Sequence, residues 1–161
     1  YTYASSLNQI DEGPLRSQRV NFGEKYAANY DRPHTLNATL VINQGVHHDF
    51  SFNFTYSTGR PFTSPQGFIK YENQILPFYF LRNDIRLPDY HRMDFAWNIY
   101  NPQIRDKKFK GNFAFSVYNL YGRKNAYSVF FRSEENVLNA YKLTIFGAPI
   151  VSLSYKFTLN H

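Results

Sequence analysis

The chain has 161 residues, 19% of them aromatic, a net charge of +6 and no cysteine, which excludes a disulfide scaffold and a thiolate metal site. No run approaches the roughly 20 apolar residues of a membrane helix; the richest, ILPFYFL at 75–81, is broken by Pro77. Lys and Arg are scattered in ones and twos, so the positive balance does not make a phosphate track, and the closest cluster, RDKKFK at 105–110, reads as a solvated turn.

In chain order, YTYASSLNQ at the start lacks the basic and apolar regions of a signal peptide, and YTYAS reads as a strand entered in its middle. After a long connection, 6–34, strict two-residue alternation predicts a strand over 35–43, with Leu36, Ala38, Leu40 and Ile42 on one face. The short link QGVHHD leads to a second strand, 50–57, where Phe50, Phe52, Phe54 and Tyr56 alternate with Ser51, Asn53, Thr55 and Ser57. A second long gap, 58–92, contains GFIKYEN, which reads as a strand extension. Strands are then predicted at 93–100, with Met93, Phe95, Trp97 and Ile99 on one face, and at 111–118, with Phe113, Phe115 and Val117. The short turn NPQIRDKKFK separates these two, and a third long gap, 119–150, holds two more extensions, YSVFFR and YKLTIF. A last strand at 151–159 carries Val151, Leu153, Tyr155, Phe157 and Leu159 on one side. Short turns thus alternate with long excursions, which are uncommon in compact domains unless functional.

Alternation alone fits a soluble sandwich as well as a membrane wall. Charge separates them: across the five strands only Asp94 and Lys156 are charged, although charged residues make up 19% of the chain. A polar face of Ser, Asn, Thr and Ala suits the lumen of a membrane barrel, and a face of Leu, Phe, Tyr and Trp suits lipid. The expected fold is therefore all-β, an antiparallel transmembrane β-barrel segment of five to six strands. Phe50, Phe52, Phe54, Tyr56, Phe95, Trp97, Phe113 and Phe115 are the expected lipid-facing residues. Five or six strands cannot close a bacterial barrel, whose minimum is about eight, so the segment belongs to a larger one. A last strand ending in the periplasm puts the turns at 44–49 and 101–110 on the periplasmic side and the long gaps outside.

NYDRPHTL, STGRPFTSPQG, LPDYHRMDFAWNIY, SVYNLYGRKNAYSVFF and PIVSLSYKF, in this order, resemble the C-terminal part of the β-barrel of a TonB-dependent outer-membrane receptor, over residues 29–159. The resemblance implies residues 1–161 as part of a barrel of about 22 strands, with the plug domain and N-terminal strands lying outside this chain. It further implies active import of a scarce nutrient (glycan, peptide or metal chelate) in the bacterial outer membrane, with no cofactor and no catalysis. The implied partners are the rest of the barrel and plug, TonB through the absent N-terminal region, outer-membrane lipid and lipopolysaccharide, the barrel-assembly machinery and a surface lipoprotein. Phe157 and Leu159 stand where this family carries its assembly signal, although Thr158, Leu159, Asn160 and His161 follow the aromatic residue.

Other constellations give way to bland readings. His47, His48 and Asp49 look metal-like, but neighbouring strand residues point to opposite faces, so a solvated turn is expected and no metal site. DYHRMD at 89–94 holds acid-base materials; by parity Arg92 and Asp94 face the lumen together in a polar network, with His91 turned away. No nucleophile motif, phosphate loop or HExxH helix supports an enzyme, and the sequons NAT at 37–39 and NFT at 53–55 fall mid-strand. Gly59, Arg60 and Pro61 mark a strand exit, and Arg60, Tyr71, Tyr79 and Arg82 are the expected ligand-binding residues of the outer loop. Two alternatives remain: a soluble β-sandwich that binds carbohydrate through its loops, and a single-strand nucleic-acid binder. The first requires the aromatic faces to bury each other; the second requires basic and aromatic residues on one shared face.

Overall fold

The computed structural model describes residues 1–72, 74–100, 109–134 and 137–159. Strands dominate, and no α-helix occurs among the described residues. In chain order they are β1 (Thr2–Tyr3), β2 (Leu7–Asn8), β3 (Tyr26–Ala27), β4 (His34–Gln44), β5 (His48–Ser57), β6 (Pro61–Phe62), β7 (Gly67–Tyr71), β8 (Gln74–Phe78), β9 (Ile85–Arg86), β10 (Tyr90–Ile99), β11 (Phe109–Tyr118), β12 (Ala126–Glu134), β13 (Val137–Thr144) and β14 (Ile150–Leu159). The five alternating segments are thus strands, each starting one to three residues earlier than the alternation marks. The expected turn at 101–110 lies mostly outside the described residues.

The chain divides into two compact units. One comprises residues 36–56, 91–124 and 146–161 and holds the long strands. They form an antiparallel sheet in the order β4-β5-β10-β11-β14, and β1 extends it only at the start of β4, where Thr2 pairs with Thr35 and Tyr3 with His34. Gly45, at φ 66, makes the tight turn from β4 to β5. The sheet is open among the described strands: the outer edge of β14 and the outer edge of β4 beyond Thr35 have no partner. Nor does this unit have an ordinary core, because Val117 is its one buried apolar residue among those described, while Leu153 is 71% and Val151 63% exposed.

The other unit comprises residues 1–35, 57–90 and 125–145. Its strands are short and paired two by two: β2 with β3, β6 with β9, β7 with β8 and β12 with β13. GFIKYEN does not run on as a single extension; it turns back at Glu72, φ 44, and pairs with β8. Pro77 is tolerated there because β8 is an edge strand that need not donate at every position. The core of this unit is small, with Tyr26, Ala28 and Leu87 buried beside the polar Asp31 and Ser57. Polar ties hold the unit together.

Candidate functional site

The long strands place their aromatic residues in register. Directly opposed residues of antiparallel strands share a face, so Phe95, Val117 and Val151 form one row across β10, β11 and β14. Trp97, Phe115 and Leu153 form the next row, and Ile99, Phe113 and Tyr155 the one after. On β5, Phe50 joins the same face, its ring centroid 5.8 Å from Trp97, and Phe52 lies 5.1 Å from Phe95. Phe54 meets His91 at 6.4 Å, and Tyr56 follows on the same side by parity. The eight expected lipid-facing residues therefore belong to one continuous surface. The opposite face is mostly small and neutral: Ala96, Ser116 and Ser152 form one row, Asn98, Ala114 and Ser154 another, and Thr39 donates to Asn53 at 2.8 Å, while Lys156, opposite Asn112, and Asp49 of β5 stand on the same side.

That polar face carries a charged knot near the start of β10. Arg92 holds Asp94 through Nε at 3.0 Å and Nη2 at 2.9 Å, and its guanidinium lies 4.0 Å from the centre of the Tyr118 ring while Nη1 donates to the Tyr118 hydroxyl. The other oxygen of Asp94 accepts from the Asn119 backbone N–H at 2.9 Å. Asn119 is 1% exposed and left-handed at φ 55, and its amide donates to the carbonyls of Arg123 and Phe146. His91 faces the other way, its Nδ1 2.7 Å from the Tyr121 hydroxyl. The expected Arg92–Asp94 pair is present; Tyr118 and Asn119 as its continuation were not anticipated.

His47 and His48 take different partners. The Trp97 indole donates to His48 Nδ1 at 3.3 Å, while His47 Nδ1 lies 3.2 Å from the Tyr100 carbonyl. Phe157 of β14 is 57% exposed and stacks with Tyr155 at 6.2 Å. Of Leu159 only the backbone is described, paired with Phe109.

In the other unit, residues 82–89, RNDIRLPD, form a spine to which distant segments attach. Asn21 clamps the Arg82 backbone with both side-chain atoms, at 2.7 and 2.9 Å. The Asn83 amide donates to the Ala27 carbonyl and to Asn29, each at 2.7 Å. Asp84 accepts from the backbone and hydroxyl of Ser64 and from Gln66. Arg86 pairs with buried Asp31 and also donates to the Asp31 and Gly59 carbonyls at 3.1 Å. Gly59 sits so close that a Cβ would lie 1.7 Å from the Leu87 carbonyl, and its N–H donates to Asp89. Burial alone would raise the Asp31 pKa, but the Ser6 N–H and the Arg86 guanidinium outweigh it and hold the carboxyl below its ordinary 3.8. Asp84 is likewise lowered, its burial outweighed by hydrogen bonds from Ser64 and Gln66.

The four expected ligand residues have separate local settings. Arg60 donates to the Tyr127 carbonyl at 2.8 Å with its guanidinium 5.8 Å from that ring, which ties it to β12. Arg82 is clamped through its backbone by Asn21. Tyr71 and Tyr79 are exposed, at the far end of β7 and just past β8. The residues that organise this unit, Asp31, Asn83, Asp84 and Arg86, carry no motif; the one local signal is the density of Asp, Asn and Arg before β10.

Comparison with protein-family models, with curated proteins and with solved structures found no match to this chain.

Proposed function

We propose that this chain forms wall strands and external loops of a plugged β-barrel in the bacterial outer membrane, a receptor of the TonB-dependent type that imports a scarce nutrient. One observation carries the reading: the apolar sheet face exposes Phe113, Val151, Leu153, Tyr155 and Phe157, while its reverse is mostly small and neutral. Water would charge a high price for that face, whereas acyl chains accept it. A soluble sandwich would instead bury Leu153 and Val151, which are among the most exposed apolar residues of the chain. Dimensions agree. Ten residues, as in β10 and β14, span about 33 Å along the strand, and a tilt of about 40° reduces that to the apolar band of about 25 Å typical of such barrels. Backbone groups in lipid need partners, so the free edges of β4 and β14 call for further strands, supplied by the rest of the barrel. Arg92, Asp94 and Tyr118 then face the lumen, and the spine unit supplies loops outside. The test is solubility of the 161-residue chain after refolding. It is expected to stay dispersed only in detergent or lipid; a monodisperse detergent-free monomer in sedimentation overturns the proposal.

A further inference from the structure

The β7–β8 hairpin is a two-stranded ribbon with exposed apolar residues on both sides. Its register opposes Gly67 to Phe78, Phe68 to Pro77 and Ile69 to Leu76, so Gly67, Ile69 and Tyr71 look to one side and Phe68 and Lys70 to the other. Phe68 is 58%, Ile69 55% and Tyr71 61% exposed, and a Cβ on Gly67 would meet nothing within 4 Å. A lone two-stranded ribbon is marginal in water, and further strands are what make such a sheet stable. The two edges of the ribbon differ. Pro77 removes a donor from β8, whereas β7, Gly67–Tyr71, contains no proline and pairs with no strand but β8 among the described residues.

We propose that the β7 edge pairs with the β7 edge of a second copy of this chain, antiparallel about a two-fold axis at Ile69. The segment GFIKY is complementary to itself in that register. Ile69 meets Ile69 of the second copy, Phe68 meets Lys70 and Gly67 meets Tyr71, and the last two contacts each occur twice, as an isologous pairing requires. One side of the resulting four-stranded sheet carries an unbroken apolar row in which Leu76 and Ile69 of one copy continue into Ile69 and Leu76 of the other. On that side the Tyr71 ring covers the open space over Gly67, as the Tyr155 ring covers Gly111 between β14 and β11. On the other side the Lys70 ammonium comes beside the Phe68 ring, a cation–π pair. Neighbouring registers lose this match: an axis at Lys70 sets two ammonium groups against each other, and an axis at Phe68 sets Tyr71 opposite Pro65 instead of Gly67. The contact goes beyond the importer reading and does not depend on it.

The chain has no cysteine, so single introduced cysteines report the register without background. Directly opposed residues lie about 4.5–5.5 Å apart at Cα, within disulfide reach, whereas Gly67 of one copy would stand about 13 Å along the strands from Gly67 of the other. With the full chain in whichever medium keeps it dispersed, Ile69→Cys is expected to form a disulfide-linked dimer on mild oxidation. Gly67→Cys and Tyr71→Cys are each expected to stay unlinked alone and to link when the two chains are mixed. Added to Ile69→Cys, Phe68→Lys sets like charges opposite each other twice and is expected to slow linking by about tenfold or more, whereas Phe68→Glu, opposite Lys70, is expected to keep it. The proposal is overturned if Ile69→Cys stays unlinked in a chain that circular dichroism shows folded, if positions 67, 69 and 71 link equally alone, or if Phe68→Glu slows linking as much as Phe68→Lys. Association through the open edges of β4 or β14 would give one of the first two results. Whether the chain needs detergent is read separately, so failure of the importer reading is distinguishable from failure of the dimer.

Discussion

At the scale of single residues, the Asp31–Arg86 pair is where one change should cost most. Asp31 is almost fully buried, with its side chain 1% exposed, while that of Arg86 keeps 35%. Arg86→Ala leaves a carboxylate in the interior and removes donors from the Asp31 and Gly59 carbonyls. Breaking a fully buried pair costs about 3–5 kcal/mol; the partial exposure of Arg86 lowers the expectation to about 2–3 kcal/mol. Hydrogen exchange should show it as faster exchange of the Ser6, Gly59 and Leu87 amides, and unchanged protection there would contradict the spine. The pH dependence follows from the same group. Because the folded-state pKa of Asp31 lies below its ordinary 3.8, the ionised carboxylate stabilises the unit above that pH, and the contribution is lost as pH falls through the folded value. Asp84 acts in the same sense. Amide protection in residues 82–89 should therefore fall below about pH 3.8, and Asp31→Asn/Asp84→Asn should start less protected at neutral pH but show a flatter acid limb. An acid limb identical to that of the unchanged chain would assign it to other groups.

At the scale of elements, the long strands were legible because a two-residue period is a local property, written within each segment of about ten residues. Even the Arg92–Asp94 pair could be read that way, being two residues apart on one strand. The spine was not legible: Asn83 meets Ala27 and Asn29 across more than fifty residues, and Asn, Asp and Arg in a loop look alike whether they organise it or merely face water. One strand-to-strand contact was equally hidden. The Tyr155 ring lies over Gly111, where a Cβ would come within 2.0 Å of the hydroxyl oxygen and 2.4 Å of Cζ. Gly weakens a strand by itself, and an aromatic ring from the neighbouring strand covers the gap. Gly111→Ala should therefore push Tyr155 aside and destabilise the β11–β14 pairing by about 1–2 kcal/mol. The double variant Gly111→Ala/Tyr155→Ala should cost less than the sum of its parts, with a coupling of about 1 kcal/mol in a thermal or denaturant cycle. Strict additivity would mean that the ring does not depend on the glycine.

At the scale of the whole molecule, the sheet is a sided object, and its single tryptophan lies on the side at issue. Trp97 is two residues from the end of β10 and shares a row with Phe115 and Leu153, whereas Phe52 sits mid-strand on β5 against Phe95. In a membrane wall the first position belongs to the interfacial belt and the second to the middle of the bilayer. With the chain reconstituted in vesicles of brominated phospholipid, Trp97 fluorescence should be quenched, and most strongly by bromine near the glycerol end of the acyl chain. The variant Trp97→Phe/Phe52→Trp moves the reporter to the centre of the same face, and its quenching should be strongest with bromine near the methyl end. Asn53, one residue along and on the opposite face with Thr39, provides the control: Trp97→Phe/Asn53→Trp should be quenched least by either lipid if that face lines a closed lumen. Equal quenching at positions 52 and 53 would mean that lipid does not distinguish the two faces, and the membrane-wall proposal would fail with it.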